Sequence, residues 1–376
     1  MYKKVLTVLF SAAFIISAEK NLPGFSPECK VFSAYYLDIS GTEQNSSFSD
    51  RANGFEISRI YAGGKYQISD NIKARILTDV SREEKTGKLE TYAKYTYAEF
   101  NAQKIKSSVC TGLQGTGLWK TPEKFWGLRI IKHAPAESFG KYLKSVKNVF
   151  ENAPAEENIS ESLADAQKSG FDKASAYNTG SSADIGLKLK TKFSPGFSMN
   201  TMIRNGTGYK EKEDDFYKNI ILNPVLKTAG KKLLFSAVLE AEPFRSPDGE
   251  TRINVFYDLF CGYTSGISKT GINFGSKVFS APEENITAFY VSLMENLSLS
   301  ESASAFLRLD YYNTGFSSSS VLDLSDTETD AFLYIGGLEY KLHKKVSLIP
   351  NIQYLDKSSA EEKDSAELYV HLQFKY

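Results

Sequence analysis

The sequence predicts an all-β fold: a transmembrane antiparallel up-and-down β-barrel of about sixteen strands, interrupted by one long, partly helical connection. Three observations lead there. Residues 366–376 alternate, with Leu368, Val370, Leu372, Phe374 and Tyr376 on one face and Glu367, Tyr369, His371, Gln373 and Lys375 on the other. A strand of about ten residues with one greasy and one polar face, where the chain stops on an aromatic residue, suits a barrel wall better than the edge of a soluble sandwich. Upstream, strand-like stretches are joined alternately by short and long connections. Beyond the N-terminal segment, no apolar run approaches the length of a membrane helix.

Lys3 and Lys4 precede the apolar run Val5 to Ile16, and Ser17-Ala18 supplies small residues before Glu19. This is the pattern of a secretory signal peptide over residues 1–18, leaving 19–376 as the barrel. Cys29 lies too far from the run to be a lipoprotein acylation site. The 25 Phe and 22 Tyr against 4 Met suit aromatic girdles. Lys plus Arg and Asp plus Glu number 45 each, so no nucleic-acid footprint is visible. Three cysteines make no disulfide framework, and three histidines at unrelated spacings make no metal motif.

The predicted strands follow in order. Lys30 to Ile39 leads through a polar loop to Gly54 to Ile68, which turns at Ser69-Asp70-Asn71 into Ile72 to Ser81. A charged loop precedes Thr91 to Phe100, which turns into Ile105 to Gln114. After a long interruption come Asp184 to Phe193 and Phe197 to Asn205, joined at Ser194-Pro195-Gly196. Phe216 to Leu226 and Lys232 to Ala241 form the next pair, then Thr251 to Tyr263 and Thr270 to Phe279. Ile286 to Met294 pairs with Ser300 to Tyr312, Ala331 to Leu342 with Lys345 to Leu355, and residues 366–376 close the sequence. With both termini periplasmic, each periplasmic connection is short and each extracellular one longer and more polar, an order that an arbitrary set of strands would not show.

Alternation assigns the faces. Ile185, Leu187 and Leu189 oppose Asp184, Lys188 and Lys190; Ile253, Val255 and Tyr257 oppose Arg252, Asn254 and Asp258. Pro350 falls on the apolar face and weakens its strand, and Thr91 to Phe100 has no clear outer face. The interruption, residues 115–183, is the third extracellular connection. Its charged middle, Lys141 to Lys168, fits a helix, with a small apolar stripe of Val146, Val149 and Phe150 continued by Leu163. It either folds inward and narrows the bore or forms a surface excursion.

The run Phe55-Glu56-Ile57-Ser58-Arg59 through Gly63-Gly64-Lys65 and Ile68-Ser69-Asp70-Asn71-Ile72 resembles the start of the phosphate-selective porin O and P superfamily. Gly112-Leu113-Gln114 followed by Lys120-Thr121-Pro122 resembles that family's G-x-x-K-x-P stretch. Trp126-Gly127-Leu128-Arg129, Ser182-Ala183-Asp184-Ile185-Gly186 and Arg204-Asn205-Gly206-Thr207-Gly208-Tyr209 are similar to segments of related porins. The likeness spans Phe55 to Pro224 loosely. It implies a sixteen-stranded outer-membrane barrel, often trimeric, that passes small solutes. The insertion between Phe139 and Ser181 departs from the phosphate-selective members and puts phosphate specificity in doubt.

No G-x-S-x-G elbow and no H-E-x-x-H motif is present, and Gly115-Thr116-Gly117 lacks the third glycine of a dinucleotide loop. The expected function is therefore passive diffusion of small hydrophilic solutes through the outer membrane, with no cofactor and no catalytic residue. A structural or adhesive barrel with a closed lumen and an outer-membrane enzyme are the alternatives. By parity the lining includes the bases Arg59, Lys65, Arg75, Lys188, Arg204, Arg252, Arg308 and Lys341 and the acids Asp79, Asp258 and Asp310. Arg59, Arg75 and Arg204 are the expected solute contacts, and Lys120, Lys124 and Arg129 the constriction candidates. Bases outnumber acids, which favours anions slightly. Expected partners are outer-membrane lipid, the solutes, a homotrimer, and the barrel assembly machinery through residues 366–376.

Overall fold

A computed structural model of the protein describes residues 24–40, 53–82, 87–152 (side chains to 143), 180–210, 212–213, 215–228, 230, 232–246, 249–280, 285–314, 330–357 and 364–376. The predicted signal peptide, residues 153–168 of the predicted helical stretch and Leu163 lie outside them.

Sixteen antiparallel strands close into one barrel in sequence order. They are β1 (Phe25–Asp38), β2 (Asn53–Gln67), β3 (Ile72–Arg82), β4 (Leu89–Ala102), β5 (Ser107–Gly115), β6 (Ala183–Lys192), β7 (Phe197–Arg204) and β8 (Asn219–Lys227). The second half holds β9 (Leu233–Arg245), β10 (Thr251–Thr264), β11 (Ser268–Phe279), β12 (Ile286–Ser298), β13 (Ala303–Asn313), β14 (Ala331–His343), β15 (Val346–Lys357) and β16 (Ser365–Lys375). Each predicted strand coincides with one of these, with ends displaced by a few residues. Closure is made by β16 on β1, from Lys30↔Lys375 to Asp38↔Glu367, so neither terminal strand leaves an open edge.

The expected face alternation holds on β16. Leu368, Val370, Leu372 and Phe374 are exposed on the outer wall, while His371 and Gln373 are buried inside. Residues Ile185, Leu187, Leu189, Ile253, Leu259, Phe332 and Tyr334 continue that apolar outer surface. Rings of Tyr257, Phe274, Phe289, Tyr311, Phe332, Tyr334 and Tyr354 form an unbroken chain across β10–β15, successive centroids 4.9–6.4 Å apart. The later members lie close to the long-connection ends of their strands, as an interfacial girdle does. No helix among the described residues is long and apolar enough to cross a membrane.

Two irregularities explain where alternation fails to read. The β3–β4 register steps from Leu77↔Tyr95 to Thr78↔Ala93, leaving Lys94 as the extra residue of a β-bulge. Parity inverts there: Tyr92 and Lys94 point in before it, and Tyr95, Tyr97 and Glu99 after it, so this strand shows no single face. Pro350 keeps its place in β15, pairing with Val370 of β16, but the β14–β15 ladder skips from Gly337↔Asn351 to Tyr340↔Leu348. A residue without an N–H is accommodated by a gap on one side. Pro224 in β8 does the same, paired to Met199 and skipped on the β9 side.

The long connection holds two helices, α1 (Lys120–Trp126) and α2 (Pro135–Asn152). The expected helix from Lys141 is corrected in its start. α2 begins at Pro135, whose fixed φ and missing N–H suit a first helical position. Its described buried face is Ala136, Phe139, Tyr142 and Leu143, at helical spacing, and the side chains of the expected stripe of Val146, Val149 and Phe150 lie outside the described ones. α1 had no counterpart in the sequence reading. It ends at Gly127 (φ 78°), whose N–H caps the Glu123 carbonyl, a left-handed position that glycine takes without strain.

Candidate functional site

β5 delivers the chain to the long-connection end of the barrel at Gly115, yet the carbonyl of Phe125 accepts a hydrogen bond from Lys269, the second residue of β11 at the short-turn end. Residues 116–126 therefore descend inside the barrel. The return leg climbs: the His133 carbonyl accepts from Arg308 midway along β13, and Tyr142 stacks on Tyr312 near its far end, with centroids 5.4 Å apart.

This hairpin carries the apolar core of the molecule. Leu118, Trp119, Phe125, Trp126, Leu128, Ile130, Ile131, Ala134, Phe139 and Leu143 are buried against inward side chains of the wall, among them Phe256, Phe260, Tyr290, Phe306, Leu333, Ile335 and Ile349. Trp126 meets Phe306 edge-on at 5.8 Å and Phe139 lies 5.2 Å from Tyr290. Burying a side chain of this size contributes about 1.5–3 kcal/mol. Wall donors then satisfy the hairpin's backbone: Lys188 to Gly115 O, Lys269 to Phe125 O, Gln353 to Ile131 O at 3.3 Å and Arg308 to His133 O.

With the β9–β15 side filled, open space remains along β1–β6 and β16. A cavity of about 520 Å³ runs there, from Gly115 and Ser182 at the long-connection end to Glu28, Lys30 and Lys375 at the short-turn end. Among the described residues nine basic side chains line it (Lys30, Arg75, Lys94, Lys120, Lys124, Arg129, Lys188, Lys190 and Lys375) against two acidic ones, Glu28 and Glu123. Burial and the neighbouring charges of Lys190, Lys124 and Arg75 hold the Lys120 ammonium below its ordinary pKa, placing bases from α1, β6 and β3 within electrostatic reach of one another.

The expected lining residues divide into two groups. Arg75, Lys120, Lys124, Arg129 and Lys188 border the cavity. Arg75 bonds Glu28 at 2.8 Å, which also takes Lys65 at 2.6 Å. Arg129 grips Glu137 with both guanidinium nitrogens, at 2.7 and 3.2 Å, and also bonds Glu123. Burial alone would raise the Glu137 carboxyl, but Arg129 and His133 beside it outweigh that and hold it well below the usual carboxylate range. Arg59 lies 3.4 Å from Asp79, a fully buried carboxylate that also sits 3.6 Å from Lys94 and accepts from Tyr209 at 3.2 Å.

Arg204, Arg308, Asp310 and Asp258 are locked into the wall, which corrects the expectation that they line the bore and that Arg204 meets solute. Arg204 is 1 % exposed, between Asp184 at 2.7 Å and Glu240 at 2.5 Å. Arg308 is fully buried, paired with Asp310 at 2.5 Å, and Tyr312 donates to the same carboxylate. Asp258 is fully buried and accepts from Tyr290 and Asn273. Arg252 pairs with Glu250 at 3.2 Å near the long-connection end, and Lys341 is exposed near the short-turn end of β14. The paired charges of Arg204 and Arg308 brace the barrel. Lys30, Lys94, Lys375 and the rings of Tyr95 and Tyr97 were missed as lining. Lys375 was findable, because the parity of the last strand puts it on the inner face. Lys94 was hidden by its bulge. Among the described residues no His, Cys, Asp and Glu side chains gather as a metal site.

A closed sixteen-stranded barrel with an inward-folded third long connection and a charged residual bore defines the outer-membrane porin fold. No protein-family model matches the chain, and no curated protein matches it. Solved structures do. The anion-selective porin from Comamonas acidovorans superposes with a TM-score of 0.63 at 12% identity, covering 94% of this chain and 99% of its own. The outer membrane channel DcaP of Acinetobacter baumannii gives 0.62 at 8% identity, covering 94% and 97%. The trimer form of OmpT, an outer membrane protein of Vibrio cholerae, gives 0.54 at 13% identity, covering 94% and 100%.

Proposed function

We propose that the protein is an outer-membrane porin-like channel for passive diffusion of small hydrophilic solutes, with a preference for anions. The observation that carries this reading is the excess, among the described residues, of nine basic over two acidic side chains along the bore between the hairpin and β1–β6. In a low-dielectric bore such an excess concentrates anions and excludes cations. The hairpin sets the width of the path, and Lys120, Lys124 and Arg75 stand where it is narrowed. Residues 1–18 direct export, β16 serves as the signal to the assembly machinery, and the barrel associates as a homotrimer in the outer membrane. No turnover residue is required.

The purified protein in a planar bilayer tests this. Conductance steps are expected, with a reversal potential in a KCl gradient displaced toward that of chloride. A cation-selective reversal potential would refute the anion preference. One observation favours a second reading, a structural barrel with an occluded lumen: the hairpin fills the β9–β15 side with a continuous apolar core. Folded, heat-modifiable protein that gives no conductance steps would establish that alternative.

A further inference from the structure

The bore holds two kinds of lining side by side. One is cationic: Lys30, Lys120, Lys124, Lys188 and Lys375 have no carboxylate within 4.0 Å among the described residues. The other is aromatic. Tyr61 from β2 and Tyr95 and Tyr97 from β4 border the same cavity with half-buried rings, the last two edge-on at 6.4 Å, and Trp119 closes it from the hairpin. The two sets meet at Arg75, whose guanidinium lies over the Tyr95 ring at 4.4 Å.

Uncompensated ammonium groups in a confined bore are costly unless a mobile anion neutralises them. An inorganic anion would satisfy the charge and gain nothing from the rings. The arginines, whose planar forks suit phosphate, are already taken: Arg75 by Glu28, Arg129 by Glu123 and Glu137, and Arg59 by Asp79. What remains without a carboxylate partner among the described residues is a set of lysine point charges, of which Lys188 also bonds the Gly115 carbonyl, beside flat apolar faces. Sites that combine a few placed charges with apolar walls recognise organic ligands by both parts at once.

Resting on the channel reading above, we propose that the bore is a binding site for aromatic carboxylates, the carboxylate held by Lys120, Lys124 and Lys188 and the ring lying among Tyr61, Tyr95 and Tyr97. Transit of such a solute is saturable, whereas chloride passes as a hydrated ion. A carboxylate without a ring keeps only the lysine half of the interaction, and inorganic phosphate finds no free arginine fork.

The test is chloride current through single channels titrated with benzoate, acetate and inorganic phosphate. Benzoate is expected to block saturably, at a concentration about tenfold lower than acetate, the step that one ring contact of roughly this strength supplies. The double variant Tyr95→Ser/Tyr97→Ser should bring benzoate to the acetate value. Lys120→Gln/Lys124→Gln should weaken block by both and reduce anion selectivity. Heat-modifiable electrophoretic mobility of each variant verifies a folded barrel. Equal block by benzoate and acetate in the native channel, or stronger block by phosphate, would overturn the proposal while leaving the channel intact. Absence of any conductance step would instead overturn the channel reading on which it rests.

Discussion

The guanidinium of Arg308, in the middle of β13, donates to the backbone carbonyl of His133 in the lumenal hairpin and, at 3.3 Å, to the hydroxyl of Ser138 at the start of α2. Its remaining nitrogen is held by Asp310 at 2.9 and 3.0 Å. One side chain thus ties the return leg to the wall while its charge is cancelled within its own strand. Arg308→Met should cost about 3–5 kcal/mol, because it strands a buried carboxylate as well as freeing the hairpin. The double variant Arg308→Met/Asp310→Leu removes the stranded charge and should recover most of that stability. Both should show larger, noisier conductance steps than the native channel. Native conductance in the double variant would mean that the latch does not hold the hairpin.

The cations of α1 should dominate selectivity. Lys120→Glu/Lys124→Glu moves four units of charge on residues that border the bore, whose low-dielectric walls focus field lines. The ratio of anion to cation permeability should fall about tenfold, to below unity. Lys104→Glu, an exposed change in the turn between β4 and β5, should leave the reversal potential where it was. Equal shifts from both variants would place the selectivity in overall surface charge.

How much of this was legible beforehand follows from period. A strand's period of two survives any tertiary context, so all sixteen strands and the closure by β16 could be read from alternation and connection length. Alternation lost a single face where the backbone departs from it, at the Lys94 bulge. Charge by itself was misleading. Arg204 and Arg308 share the inward parity of Lys188, but parity cannot say that Asp184, Glu240 and Asp310 stand close enough to consume them. The hairpin was least legible. α1 is one short turn-capped helix, and Phe125 and Trp126 find their partners on β10 and β13, more than a hundred residues away. A local pattern has no means of showing such partners.

Acid should loosen the hairpin. Burial pushes the His133 imidazole well below its ordinary pKa, with Arg129, Lys141 and Arg59 adding to the effect and Glu137, 3.5 Å away, opposing it. Because the released segment would bind the proton more readily, the hairpin's hold is complete above about pH 7 and weakens as pH falls below the ordinary histidine value of about 6.5. Conductance recorded from pH 7.5 to pH 5 should therefore rise, and His133→Gln should flatten that rise. An unchanged profile in this variant would assign the effect elsewhere.

The closing strand should be intolerant of shortening. Removing Phe374 to Tyr376 deletes the pairs Lys30↔Lys375 and Val31↔Phe374, and with them the mutual backbone bonds of Cys29 and Tyr376 at 2.8 and 3.3 Å. An unpaired start to β1 exposes backbone groups that lipid cannot satisfy. Outer-membrane levels of folded protein should drop strongly. Normal levels of a heat-modifiable truncated barrel would show that the seam tolerates an open end.

A pair of glycines offers a way to move the hairpin without touching its own residues. Gly262 of β10 and Gly271 of β11 face each other in register and leave a hollow in the inner wall. Phe125 fills it: a Cβ at Gly262 would lie 2.6 Å from the ring, and one at Gly271 2.9 Å. Both distances are too short for real contact, and the Phe260 ring packs against Phe125 beside the hollow, with centroids 5.1 Å apart. Gly262→Val should therefore expel Phe125 and lift the base of α1 off Lys269, at a cost of about 1–3 kcal/mol typical of overpacking. The barrel ladder itself stays intact, since valine is a good strand residue. Gly266→Val, in the adjoining turn, controls for the substitution, because a Cβ there would meet no heavy atom within 4 Å. Larger conductance steps in Gly262→Val but not in Gly266→Val are expected. Identical steps in the two would mean that α1 does not border the conducting path.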